Sequence, residues 1–182
     1  MLFRITAIAA VVLSSSVSLL ADTGDVKLQI FKDVQQQVNR YAYFTIFDNV
    51  EAELQDDGLV ILGGNVTNPF KKRELLKRVA RVDGVTHVED AISVLPVSRH
   101  DDQLRYRFAR AIYGHYGFLQ YSRLYPPVHI VVERGHVTLE GIVNNEMDKA
   151  LARSLTSQLG AFSVTNELKT VGEAKAELEL LD

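Results

Sequence analysis

Five histidines, His87, His100, His115, His129 and His136, are the side chains best suited to metal or acid-base chemistry in this chain of 182 residues, and no cysteine accompanies them. Imidazole nitrogens ligate zinc and similar ions well, but a site needs three or four ligands converging on one point. His129 and His136 fall on one expected hairpin, one beside the turn and the other about four residues from it; roughly 10 Å of strand ladder separates them, so they cannot share an ion. His115 continues the apolar series Leu104, Phe108 and Ala111 and reads as a satisfied core residue. No Ser/His/Asp set with a nucleophile turn, no paired carboxylates in a recognisable cleft and no phosphate-binding glycine loop appears. The reading is non-enzymatic, with no metal and no cofactor.

Two short motifs carry little. Gly114 to Gly117 has the Gly-x-x-Gly form of a KH loop, but the chain then runs to Pro126-Pro127 and a strand instead of a further helix, and the net charge is −3. Nucleic acid is not an expected partner. Asn65-Val66-Thr67 has the form of a glycosylation sequon but falls at an expected strand end.

Binding chemistry is better represented. Tyr106, Arg110 and Tyr113 stand at i, i+4 and i+7, one stripe of a helix whose other side carries Leu104, Phe108, Ala111 and His115. Arg105 and Tyr116 lie at its margins, and the segment "GFLQYSRLYPP" adds Phe118, Leu119, Tyr121, Arg123, Leu124 and Tyr125. Aromatic rings interleaved with arginines suit a lipid interface, the ring at headgroup depth and the guanidinium against phosphate. Tyr106, Arg110, Tyr113, Tyr116, Phe118, Tyr121 and Arg123 are therefore the candidate lipid- or partner-binding residues. Packing of this face against the rest of the chain weighs about equally with lipid, and docking of a protein partner is the alternative function. A basic helix face of Arg73, Lys77, Arg78 and Arg81 is a second, weaker attraction for anionic phospholipid.

The elements that must hold these residues come in duplicate. Gly58, Val60, Leu62, Gly64 and Val66 match Gly135, Val137, Leu139, Gly141 and Val143 at a constant offset of 77, and Gly84 onward matches Gly160 onward at 76. Ahead of the first hairpin, Ile30, Val34, Val38 and Tyr41 form a helical stripe within Val26 to Tyr41. Strands at Val50 to Gln55 and Leu59 to Val66 follow, joined by a turn at Asp56 to Gly58. Asn68-Pro69 starts a helix that runs to about Arg81, and His87 to Val94 is a third strand. The second unit repeats the order: a helix at about Asp101 to Tyr116, strands at Val128 to Glu133 and His136 to Val143, a helix from about Asn145 to Leu159, and a strand at Ser163 to Val171. Val128 to Val132 is apolar apart from His129, so its buried face is undetermined. The expected class is α+β, each unit a three-stranded sheet packed against two helices. The bounds are 25–97 and 98–171, with a polar linker around Pro96 to Asp102 and an acidic tail at 172–182.

Composition is that of a globular chain, 47% hydrophobic and 24% charged. Arg4 followed by apolar Ile5 to Ala21 reads as a secretory signal peptide at residues 1–21, cleaved after Ala21. With no cysteine there is neither disulfide nor lipidated N-terminus, so a periplasmic protein that is not a lipoprotein is expected.

The paired Gly-x-Val-x-Leu-x-Gly-x-Val hairpins, each followed by a helix, a glycine and a last strand behind a signal peptide, resemble tandem BON domains (bacterial OsmY and nodulation). The likeness covers about residues 25 to 171. It implies a periplasmic envelope module that associates with phospholipid membranes and supports osmotic or other stress tolerance, and it supplies no catalytic motif. Gly58, Gly64, Gly84, Gly135, Gly141 and Gly160 are its structural positions, Gly64 and Gly141 marking a bulge or close backbone approach. Self-association through open sheet edges is a third reading.

Overall fold

The computed structural model describes residues 22–122 and 125–179, so the expected signal peptide at 1–21 lies outside the described residues. The chain forms two α+β units in tandem. The first comprises α1 (Asp22–Asn39), β1 (Asn49–Leu54), β2 (Leu59–Val66), α2 (Pro69–Val79), β3 (His87–Asp90) and β4 (Ser93–Val94). The second comprises α3 (Arg99–Tyr113), a 3-10 helix (Tyr116–Tyr121), β5 (Val128–Glu133), β6 (His136–Val143), α4 (Glu146–Thr156), β7 (Ser163–Asn166), β8 (Lys169–Thr170) and α5 (Val171–Glu179).

Each unit places its long second strand centrally. β1 pairs antiparallel and β3 and β4 pair parallel with β2, and β5, β7 and β8 do the same around β6. The helices pack on the sheet face carrying the motif's apolar residues. Val60, Leu62 and Val66 face a core with Val34, Val38, Leu75 and Val79; Val137, Leu139 and Val143 face one with Leu104, Phe108, Ile112 and Ala152. The equivalent starts are kept in both copies: the Asn68 side chain accepts from Phe70 N, and that of Asn145 from Asp148 N.

The last strand, expected as one piece in each unit, is split in two. Gly64 (φ 94) and Gly141 (φ 114) bend the central strand at the same place, and a Cβ there would collide with the carbonyls of Asn49 and Pro127. Parallel pairing stops at Leu62–Asp90 and resumes at Asn65–Ser93, just as it stops at Leu139–Asn166 and resumes at Ile142–Lys169. Asp90 and Asn166 fill the break identically, each side-chain oxygen accepting the amide two residues on.

Three further expectations are corrected. The acidic tail is not a separate appendage over its described part: α5 packs on the second unit, Ala174 is buried, and Glu173 accepts from Lys149 Nζ at 2.9 Å and Thr170 N at 2.6 Å. The long loop after α3 folds as a 3-10 helix. His115 is half-buried at that helix's start, its Nδ1 accepting from Gly117 N at 3.2 Å and its ring 4.6 Å from that of Tyr116.

β5 has no solvent face to find. Val128, Ile130 and Val132 enter the second core, while Val131 on the opposite face is only 6% exposed. The first unit covers that side. Ile46 and Phe47, from the α1–β1 loop, pack on the second core, and Ile130 N donates to Ile46 O at 2.7 Å along the sheet's outer edge.

Candidate membrane- or partner-facing site

The candidate face of α3 is held by a firmly anchored helix. Ser98 caps its start by accepting from Asp101 N, and Asp101 is buried, its carboxylate accepting from Arg134 N at 3.0 Å and Gly135 N at 2.8 Å. These two amides form the β5–β6 turn, where Arg134 (φ 51) and Gly135 (φ 83) adopt left-handed geometry. Arg105 does not reach solvent: it is buried, donating to Val132 O at 2.7 Å and to Asp102 at 2.6 Å.

The expected residues divide. Tyr106 is 70% exposed, Arg110 is exposed and Tyr116 is 82% exposed. Tyr113, expected on the solvent side, is half-buried instead, with its hydroxyl donating to Val128 O at 2.5 Å; burial pushes its phenol up despite that bond. Phe118 is fully buried and Tyr121 is 2% exposed, so neither is available to a surface. Residues i and i+3 of a 3-10 helix eclipse, and Phe118 and Tyr121 therefore point the same way, inward, while Leu119 is 61% exposed. Arg123 and Leu124 lie outside the described residues. Tyr125 is exposed.

Of the expected surface, Tyr106, Arg110, Tyr116, Leu119 and Tyr125 are thus the residues left exposed. Two sequence-distant residues join the picture. Phe47 meets Tyr106 edge-on at 5.8 Å, so part of this face does pack on the first unit. Met147, 79% exposed, stands beside the 3-10 helix, which is pinned to the start of α4 by Tyr121 Oη donating to Asp148 at 2.5 Å and by Gln120. Met147 and Phe70 (49% exposed) occupy the same second position of their helices, an apolar repeat that a 77-residue offset would have revealed.

The basic face of α2 is as expected at Arg73, Lys77 and Arg81, all exposed, but Arg78 lies over the Tyr41 ring at 5.0 Å. Among the described residues no three His, Cys, Asp or Glu side chains are grouped to hold a metal ion, and no helix is long and apolar enough to cross a membrane.

The BON domain family model matches residues 28–96, most of the first unit, and 119–172, the second unit without α3. The chain belongs to the BON domain family. Such domains are envelope-related, membrane- or phospholipid-associating modules and are generally non-enzymatic. No curated protein matches the sequence. Among solved structures, CdsD, a structural protein of the type III secretion system of Chlamydia trachomatis, is similar at 15% identity over 84% of this chain and 98% of that chain, with a TM-score of 0.30. The C-terminal domain of CdsD, in a second structure, is similar at 15% identity over 78% of this chain and 96% of that chain, again with a TM-score of 0.30.

Proposed function

We propose that this BON-domain chain is an exported, periplasmic envelope protein that binds anionic phospholipid reversibly through the second unit and supports envelope integrity under osmotic or other stress. The observation that carries the reading is the exposure of Tyr106, Arg110, Tyr116 and Leu119 on α3 and the 3-10 helix that follows it. Exposed rings of this size usually mark a surface that is covered in use. Each basic group near an anionic bilayer adds about 1 kcal/mol, and the aromatic and leucine side chains add apolar burial at headgroup depth. The site is narrower than the sequence implies, because Tyr113, Phe118 and Tyr121 serve the fold.

Sedimentation of the protein with phosphatidylglycerol and phosphatidylcholine vesicles tests this. Selective co-pelleting with phosphatidylglycerol, weakened by salt and lost in the Arg110→Glu/Tyr116→Ser variant at a nearly unchanged melting temperature, is expected. Failure to pellet with either vesicle overturns the lipid reading and leaves the same face to a protein partner.

A further inference from the structure

The covered face of the second sheet holds an unusual group. His129 and Glu140 are direct cross-strand partners, so both project from the side of β5 and β6 away from the second core, toward the first unit. Glu140 accepts a hydrogen bond from the Asn49 side chain of β1, and the His129 ring lies 5.6 Å from that of Phe44. A crevice of about 250 Å³, lined by Asn65 of β2 on one side and Val131, Thr138 and Glu140 on the other, leaves the carboxyl a route to water and hence to proton exchange. Next to it the α1–β1 loop lies along the edge of β5, where the Ile46 carbonyl takes the Ile130 amide.

We propose that the contact between the two units is a proton-operated clasp centred on Glu140, tight when its carboxyl is protonated and loosened when it ionises, so that Ile46, Phe47 and the covered side of Tyr106 become accessible. The charges around the carboxyl are of one sign where they matter. Glu51 faces it from β1 and Glu167 from the β7–β8 turn, whereas Asn49 and Asn65 are neutral. Along the crevice, Arg134 is paired with Glu133 at 2.9 Å, and the His136 Nδ1 sits 2.8 Å from Ser163 Oγ. Burial first, then Glu51 and Glu167, push Glu140 from 4.5 up to about 7 against the opposing effect of the Asn49 bond. A carboxyl raised in the docked state favours docking at low pH and withdraws that support as pH rises through about 7. His129 acts oppositely: burial lowers it, outweighing the Asp48 main chain and carboxylate charge and the Thr45 main chain, so docking prefers the neutral ring and is weakened as pH falls below 6.5. The two groups together limit the clasp from both sides, and Glu140 alone sets the alkaline limb.

Hydrogen exchange of the Ile130 amide in the full chain reads the clasp directly, because its partner belongs to the other unit. His129, lowered from 6.5, is neutral at pH 8, so comparing Glu140→Gln with the wild type there reads the carboxyl alone. At pH 8 the variant should protect Ile130 at least tenfold better than the wild type, and at pH 4 the two should match within about twofold, the ratio following the ionisation of one carboxyl. The Gly114 amide, bonded within α3, should show no such ratio. A ratio independent of pH, or one shared by Gly114, overturns the proposal. Glu51→Gln keeps it open to refutation if the first variant misfolds: removing that like charge should raise Ile130 protection at pH 8 and not at pH 4, and no change at pH 8 counts against the clasp.

Discussion

Asp48→Ala should cost the first unit more than any loss of apolar contact at that position could. The Asp48 carboxylate is fully buried between β1 and α2. One oxygen accepts from Thr67 N and Thr67 Oγ1, each at 2.8 Å, and the other from Thr45 N at 2.8 Å, Thr45 Oγ1 at 2.7 Å and Lys71 Nζ at 2.6 Å. Removing it strands two amides and an ammonium whose side chain is only 13% exposed. Breaking one partner of a buried ion pair costs about 3–5 kcal/mol, and for a unit of this size each kcal/mol shifts the melting temperature by about 4–8 °C. The first unit should therefore melt at least about 12 °C lower, by calorimetry or circular dichroism. Because the same carboxylate shapes the loop that delivers Ile46 and Phe47 to the second core, the second unit should lose stability too, by a smaller amount. Adding Lys71→Met to Asp48→Ala should recover part of the loss, since the stranded charge goes with it. A loss under about 1 kcal/mol, or a double variant as unstable as the sum of the singles, would refute this account of the network.

Gly141→Ala should destabilise the second unit by at least about 2 kcal/mol, because its φ of 114 and the Pro127 carbonyl both exclude a Cβ, whereas Gly63→Ala, with open space around it, should stay within about 0.5 kcal/mol in the same urea titration. Phe118→Ala should cost about 3–5 kcal/mol, as expected for a fully buried ring, and Leu119→Ala less than about 1 kcal/mol, which reverses the order that a lipid role for Phe118 would give.

The fold was legible because periodicity and repetition agree. The hairpin pattern recurs with every apolar residue on the same face, and Asn68 and Asn145 announce their helices by chemistry alone. The site was less legible for a geometric reason. Tyr113 stands on the same helical stripe as Tyr106, but two turns further along α3 the stripe runs under the start of β5, where the Val128 carbonyl takes its hydroxyl. Helical spacing fixes a face of a helix and says nothing of where a neighbouring strand begins to cover it. Likewise Phe118 and Tyr121 look like loop aromatics until the three-residue period between them is seen as a 3-10 turn. The covering of Val131 and His129 depends on a loop about 80 residues away, beyond any local signal.

The two units also reach one structural end by opposite chemistry, which bears on why the second exposes Tyr116 and Leu119. Thr67 N and Asn144 N are the same amide in the two copies, at the strand-to-helix corner. In the first unit it is satisfied by the Asp48 carboxylate, balanced by Lys71 on the helix; in the second it donates to the Tyr121 hydroxyl at 2.7 Å, which in turn donates to Asp148 at the position of Lys71. A short carboxylate reaches the corner from the residue just before β1. A tyrosine reaches it only from a separate turn laid over the start of α4, and that turn is the 3-10 helix. Its inward residues Phe118 and Tyr121 do the anchoring, and its outward residues, Tyr116 and Leu119, are then left in solvent. The exposure of Tyr116 and Leu119 thus follows from how one backbone amide is satisfied.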